Sequence, residues 1–231
     1  MPLKLPALWI NNKEIKRVSE TSFLGVIIHE SLSWHNHIKI IENKISKNIG
    51  VLYKAKPYLN MNSLKKLYFA FINSYLNYCN VIWASTYKSN LKKLFGKQKH
   101  ACRIIFHEER HLSVAQLLKR LKALDSYQLN LYQSLTFMQK VKKSNCPILF
   151  NEKFSETQHK YPTRYSENAF QIPAARTQLK RFSIRYRGPF LWNNVLTGEL
   201  KKQGVNKTTE SFKKLLKDFL INFETTKHHH F

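Results

Sequence analysis

Leu64-Lys65-Lys66-Leu67-Tyr68-Phe69-Ala70-Phe71-Ile72-Asn73-Ser74-Tyr75-Leu76-Asn77-Tyr78-Cys79-Asn80-Val81-Ile82-Trp83 is the stretch on which the reading of the fold turns. Set on a helix at about 100° per residue, Lys66, Asn73, Asn77 and Asn80 gather in a stripe of roughly 60°, and apolar or aromatic side chains fill most of the remaining circumference. A helix apolar over that much of its surface has to be enclosed by other elements, so the stretch predicts the central helix of a helical domain. Asn62 or Ser63 supplies a start signal, since either can accept from the free amides of a first turn. The Lys and Asn punctuation rules out a bilayer span, which needs about 20 mostly apolar residues.

The chain around this stretch has 231 residues, 43% of them hydrophobic, and 15 Phe, 11 Tyr and 4 Trp, enough to build a core. Its 39 Lys and Arg against 14 Asp and Glu leave a formal charge of +25. Cations in that excess along the whole length imply a polyanionic partner, nucleic acid before an anionic membrane surface. Neither a secretory leader nor a transmembrane run is read in the sequence. The cysteines Cys79, Cys102 and Cys146 are few, odd in number and never spaced as Cys-x-x-Cys. They suit a reducing, intracellular setting, cytoplasmic or nuclear, and argue against a disulfide framework and a Cys-rich zinc module.

Upstream of the quoted stretch lies the one clear β region, residues 1–30. Leu8-Trp9-Ile10, the turn-forming Asn11-Asn12, then Ile15 and Val18 predict a hairpin, and Phe23-Leu24-Gly25-Val26-Ile27-Ile28 has strand length and composition. Gly25 within it suggests a bulge or a close backbone approach. Ser31 or Ser33 then caps a helix from about Trp34 to Lys54, with Ile38, Ile41, Ile45, Ile49 and Leu52 at helical spacing and Pro57 as its stop.

These segments, with Leu32-Ser33-Trp34, His37-Ile38, Lys44 to Leu52 and Tyr75 to Trp83, resemble the region just after the polymerase palm in non-LTR, LINE-type retrotransposon reverse transcriptases, the jockey-like group above all. The resemblance continues through Gln98-Lys99, Ala101, Arg103-Ile104-Ile105, Arg176-Thr177, Gly188-Pro189 and Trp192-Asn193, in the family's order. It implies the end of the palm, with Phe23, Leu24, Gly25 and Val26 on a primer-contacting strand, then a helical thumb-like bundle over 31–146. From the residues themselves, lost periodicity gives a linker or extended loop over 147–175, and a looser basic segment, strand or loop and then a terminal helix, follows over 176–224. The fold expected is therefore mostly α, a small amino-terminal β hairpin followed by that bundle. RNA and RNA–DNA hybrid are the implied partners, with no membrane.

A polymerase of this family holds two magnesium ions on palm aspartates, including an adjacent pair. This chain has two aspartates, Asp125 and Asp218, standing alone. No catalytic residue, metal ligand or cofactor is therefore assigned to it, and magnesium belongs only to an enzyme that includes a palm. The chain as given is expected not to polymerise.

Asn90 to Ile105 is the most informative charged element. On a wheel Leu91, Leu94, Phe95, Ala101, Cys102 and Ile105 occupy about 120°, and Lys92, Lys93, Lys97, Lys99, His100 and Arg103 roughly the opposite 160°. Such a face is ordinarily just solvated surface; the lack of any interleaved acid favours a phosphate-contacting role. After it, His107-Glu108-Glu109-Arg110-His111 fits the His-Glu-x-x-His zinc-peptidase pattern. A third ligand is not evident downstream, and the run reads as a loop between helices. A zinc-dependent peptidase and a basic non-enzymatic interaction module remain the alternatives.

Ser113 caps a short helix (Val114, Leu117, Leu118, Leu121), and Asp125 or Ser126 starts another reaching about Lys143, with Leu129, Tyr132, Leu135, Thr136 and Met138 inward. Residues 150–175 lose periodicity. Arg176 to Arg187 alternates cations with apolar groups and reads as a basic strand or loop: Arg176, Lys180, Arg181, Arg185 and Arg187 could meet phosphates beside exposed aromatics, or could guard an edge strand. Gly188-Pro189 would break it, and Thr209 opens a last amphipathic helix through Phe212, Leu215, Leu216, Phe219 and Leu220.

Overall fold

A computed structural model describes residues 7–106, 112–157 and 168–223. The protein is mostly helical, with two short antiparallel hairpins ahead of a helical bundle. In the first hairpin, β1 (Leu8–Ile10) pairs with β2 (Lys13–Ile15), and Asn11 and Asn12 both take positive φ, 49° and 60°. That is the two-residue turn whose twist matches paired strands. The second hairpin corrects the expected Phe23–Ile28 strand. Leu24 and Gly25 turn at φ 47° and 76° between β3 (Glu20–Phe23) and β4 (Val26–His29), so Gly25 is a turn residue and not a bulge.

Helix α1 (His35–Ala55) buries the predicted Ile38, Ile41, Ile45, Ile49 and Leu52, although Trp34 and not a serine occupies its N-cap. Its first turn also holds the second hairpin, where the Ile27 amide donates to His37 Nδ1 at 3.3 Å.

Leu64 to Trp83 is not one helix. It divides into α2 (Met61–Tyr68), a π turn over Phe69–Asn73, α3 (Ser74–Asn77), and α4 (Asn80–Trp83), with Cys79 at φ 48° between the last two. Asn60 provides the cap, accepting from the Ser63 amide. Polar side chains reach back four residues at the interruptions: Ser74 donates to Ala70 O, Asn77 to Asn73 O and Asn80 to Leu76 O. Side chains that bond their own helix's carbonyls offer the backbone an alternative to continued helix.

Helices α5 (Lys88–Ile105) and α6 (Val114–Leu121) lead to α7 (Ser126–Lys142), which is the true centre. Reciprocal capping boxes start α6 at Ser113 with Gln116 and α7 at Asp125 with Gln128. Beyond α7 come α8 (Ile148–Asn151), α9 (Gln178–Phe182), α10 (Ile184–Val195), α11 (Gly198–Asn206) and α12 (Thr209–Asn222). Packed on α7 are α3, α4 and α5 from one part of the chain and α8, α10, α11 and α12 from the other. Being covered on so many sides, α7 buries polar residues as well as Leu129, Leu131, Leu135 and Met138. Gln128 Nε2 donates to Leu220 O at the end of α12, and Gln139 Nε2 to Gly204 O near the end of α11. These amides reach carbonyls in the last turns of two helices, and Leu220 O accepts from the Phe223 amide as well.

The described part of 147–175 is more than a linker. Phe154, Ala169 and Phe170 are buried, and an edge-to-face series of rings runs from Phe137 through Phe154 and Phe170 to Trp192. Leu191, Trp192, Phe212, Leu216 and Leu220 belong to the same hydrophobic cluster as α1 and α5. The carboxy-terminal helices are thus seated on the bundle and not loose.

Candidate nucleic-acid interface

Helix α5 has the two faces its sequence predicts. Leu91, Leu94, Ala101, Cys102 and Ile105 are buried and Phe95 half-buried, while Lys92, Lys93, Lys99, His100 and Arg103 are exposed. Its first turn contains no acid, and the N-cap residue Tyr87 makes no side-chain cap bond. Lys97 differs from its neighbours: it is half-buried, and its Nζ lies 3.9 Å from Glu42 Oε1 of α1. The acid missing from α5 is thus supplied, for this one lysine, by the packed partner helix. Gln98, fully buried, was not anticipated as a core residue; its Nε2 donates to Tyr68 Oη at 3.0 Å and Leu124 O at 3.2 Å. A glutamine among lysines looks like surface until α2 and the α6–α7 turn are known to close over it. Burial pushes the Cys102 thiol up to about 12, which leaves it protonated and unreactive at neutral pH.

The second basic run is helical where a strand or loop was expected. Thr177 caps α9, accepting from the Lys180 amide, and Ser183, with ψ 143°, both ends α9 and precedes α10. Two short helices reset at Ser183 scatter the cations in a way that imitates alternation. Arg176, Lys180, Arg181 and Arg185 are exposed. The Phe182 ring stands edge-on to Tyr87, centroids 4.9 Å apart, and Tyr87 immediately precedes α5. That contact brings the two basic stretches, 89 residues apart from Lys92 to Arg181 in sequence, to adjoining positions at the start of α5. Arg187 does not join them: it is half-buried, and its Nε donates to Asn130 Oδ1 at 3.1 Å. Gly188 and Pro189, expected to break a strand, lie within α10 and are buried. A Cβ on Gly188 would fall 2.5 Å from Met138 Sδ, so this glycine permits α10 to approach α7 closely.

Phe23, Leu24, Gly25 and Val26 form the tip of the second hairpin, with Phe23 and Leu24 exposed and Val26 buried. Tyr78 Oη donates to Leu24 O at 2.7 Å, which ties the tip to the α3–α4 break. Beside it opens a cleft of about 580 Å³ lined by Gly25, His37, Lys44, Ser74 and Tyr75 among others. Lys44 Nζ sits 5.4 Å over the Tyr75 ring. Burial, and then the Lys44 charge, lower the His37 pKa, so its ring is neutral at pH 7.

The aspartates serve no joint purpose here. Asp125 accepts from the Tyr127 and Gln128 amides as the α7 cap, and Asp218 is exposed on α12. Among the described residues no three His, Cys, Asp or Glu side chains gather as a metal site; His107, Glu108 and His111 lie outside those residues. No described helix is long and apolar enough to cross a membrane. No protein-family model, curated protein or solved structure matches this chain.

Proposed function

We propose that this chain binds the sugar-phosphate backbone of RNA and RNA–DNA hybrid, as the thumb and post-thumb part of a non-LTR-type reverse transcriptase, and does not polymerise by itself. The observation that carries the binding reading is the outer face of α5: Lys92, Lys93, Lys99 and Arg103 are exposed, and none takes part in an ion pair among the described residues. A solvated structural helix ordinarily intersperses acids among its cations, because i,i+4 pairs stabilise it by about 0.2–0.5 kcal/mol each and like charges oppose it by similar amounts. Keeping that repulsion makes sense where an external anion relieves it. Arg181 and Arg185 are exposed on the segment whose Phe182 meets Tyr87 at the start of α5, which supports a second set of cations near it.

The assignment to a reverse transcriptase rests on the ordered resemblance of Phe23–Ile28, Tyr75–Trp83, Arg103–Ile105 and Gly188–Asn193. The expected lack of polymerisation rests on the missing aspartate pair, since two-metal phosphoryl transfer requires carboxylates to hold both cations. Two assays test the reading on the purified chain: fluorescence anisotropy with labelled RNA and RNA–DNA hybrid, and primer extension on an RNA template with magnesium. Binding to several unrelated sequences with no extension is expected. Absence of binding at low salt would overturn the backbone reading, and incorporation above a heat-killed control would overturn the inactive one.

A further inference from the structure

Arg187 is placed unlike the other cations of its run. Its Nε donates to Asn130 Oδ1, and the orientation of that amide is fixed from the far side. Asn130 Nδ2 lies 3.3 Å from Asn80 O, Asn80 Oδ1 and Ser85 Oγ, all buried at the α4 end, so its oxygen is left facing the guanidinium. The ion pairs among the described residues are Arg17–Glu30, Lys97–Glu42, Lys142–Glu156 and Lys213–Glu210; Arg187 is in none of them. Sinking a guanidinium into protein without a carboxylate is costly. Here the desolvation lowers its pKa from 12.5 to about 10, yet it stays fully cationic at neutral pH. A guanidinium has five N–H donors. The one on Nε is taken by Asn130; the terminal nitrogens make no hydrogen bond among the described residues, and since neither is among the buried side-chain atoms lacking a partner, both keep some contact with solvent in this half-buried residue. The result is a fork gripped from behind, with an edge in contact with solvent and no counter-ion among the described residues.

We propose that this edge of Arg187 is a preorganised receptor for one phosphate group, a backbone phosphodiester of the bound nucleic acid; this rests on the function proposed above. Planar guanidinium matches two phosphate oxygens at once, which a lysine ammonium cannot do. The surface lysines of α5 must surrender rotamer freedom on binding, whereas the Asn130 bond has already immobilised Arg187. Arg187 thus sets where a strand sits, and the exposed cations hold it there without regard to register.

The test has two arms on the full chain. In the first, the Arg187 Nε–Hε NMR resonance, assigned by through-bond correlation to the Arg187 side chain and backbone, is followed during titration with inorganic phosphate, with chloride at matched ionic strength as control. A saturable shift specific to phosphate is expected. In the second, Arg187→Lys is compared with wild type in RNA binding; affinity should fall about tenfold, the scale of a charged hydrogen bond, with the salt slope unchanged because the charge is kept. A resonance that responds no more to phosphate than to chloride overturns the receptor, as does wild-type RNA affinity in a folded Arg187→Lys. Should that variant fail to fold, the first arm decides alone. A phosphate response in a protein with no RNA affinity would uphold the receptor and overturn the nucleic-acid reading.

Discussion

The two cationic stretches carry similar charge and stand in opposite relations to the core. On α5 the division is by face: Lys92, Lys93, Lys99 and Arg103 point out, Leu91, Leu94 and Ala101 point in, and this holds over 18 residues. From Arg176 to Val195 the division changes within a few residues, with Arg185 exposed, Arg187 turned inward, and Gly188 and Pro189 against α7. Charge can be removed from the first stretch without touching the fold. In the second, the cationic residues and the packing share one short helix.

Equivalent glycine substitutions give the largest separation between the stretches. Gly188→Ala forces a methyl to within 2.5 Å of Met138 Sδ in a filled core and should cost about 1–3 kcal/mol, a fall of several degrees in melting temperature. Gly96→Ala on α5 meets nothing within 4 Å and should instead stabilise by roughly 0.5–1 kcal/mol through helix propensity. Equal responses at the two sites would collapse the distinction. Next in size, Asn130→Leu strips Arg187 Nε of its partner and removes the contacts to Asn80 and Ser85, and should cost about 1–3 kcal/mol, checked by denaturant unfolding. The smallest effect belongs to the triple change Lys92→Gln, Lys93→Gln, Lys99→Gln, where each exposed substitution should stay within about 0.5 kcal/mol. A collapsed melt there would mean that these lysines pack.

How much of this was legible in the sequence follows from the period each segment keeps. Helices α1 and α5 hold one apolar face long enough to be read, and the Asn11-Asn12 turn declares its hairpin. Leu64 to Trp83 is apolar over most of its circumference without being the central helix. Its Ser74, Asn77 and Asn80 bond carbonyls four residues back, across the joins between its short pieces. The central helix α7 hid behind its Gln128, Asn130 and Gln139, which look like surface residues until the carbonyls they reach on α12, α4 and α11 are in place. Arg176 to Arg187 hid for a related reason, since two short helices joined at Ser183 show no helical period of their own. In the candidate interface the exposed cations of α5 could be read directly. The pairing of Lys97 with Glu42 and the inward turn of Arg187 depend on contacts between residues distant in sequence.

In the function proposed for this chain, the exposed, acid-free cations on α5 contact phosphates. The direct measurement is the slope of log affinity against log salt for RNA binding by wild type and by the triple Lys92, Lys93 and Lys99 variant, each confirmed folded. Every phosphate neutralised contributes a slope of about 0.7 to 0.9, so the account predicts a plot flatter by about two units and affinity weakened alike for unrelated sequences. An unchanged slope in a folded triple variant would contradict it, and would make the outer face of α5 plain solvated surface.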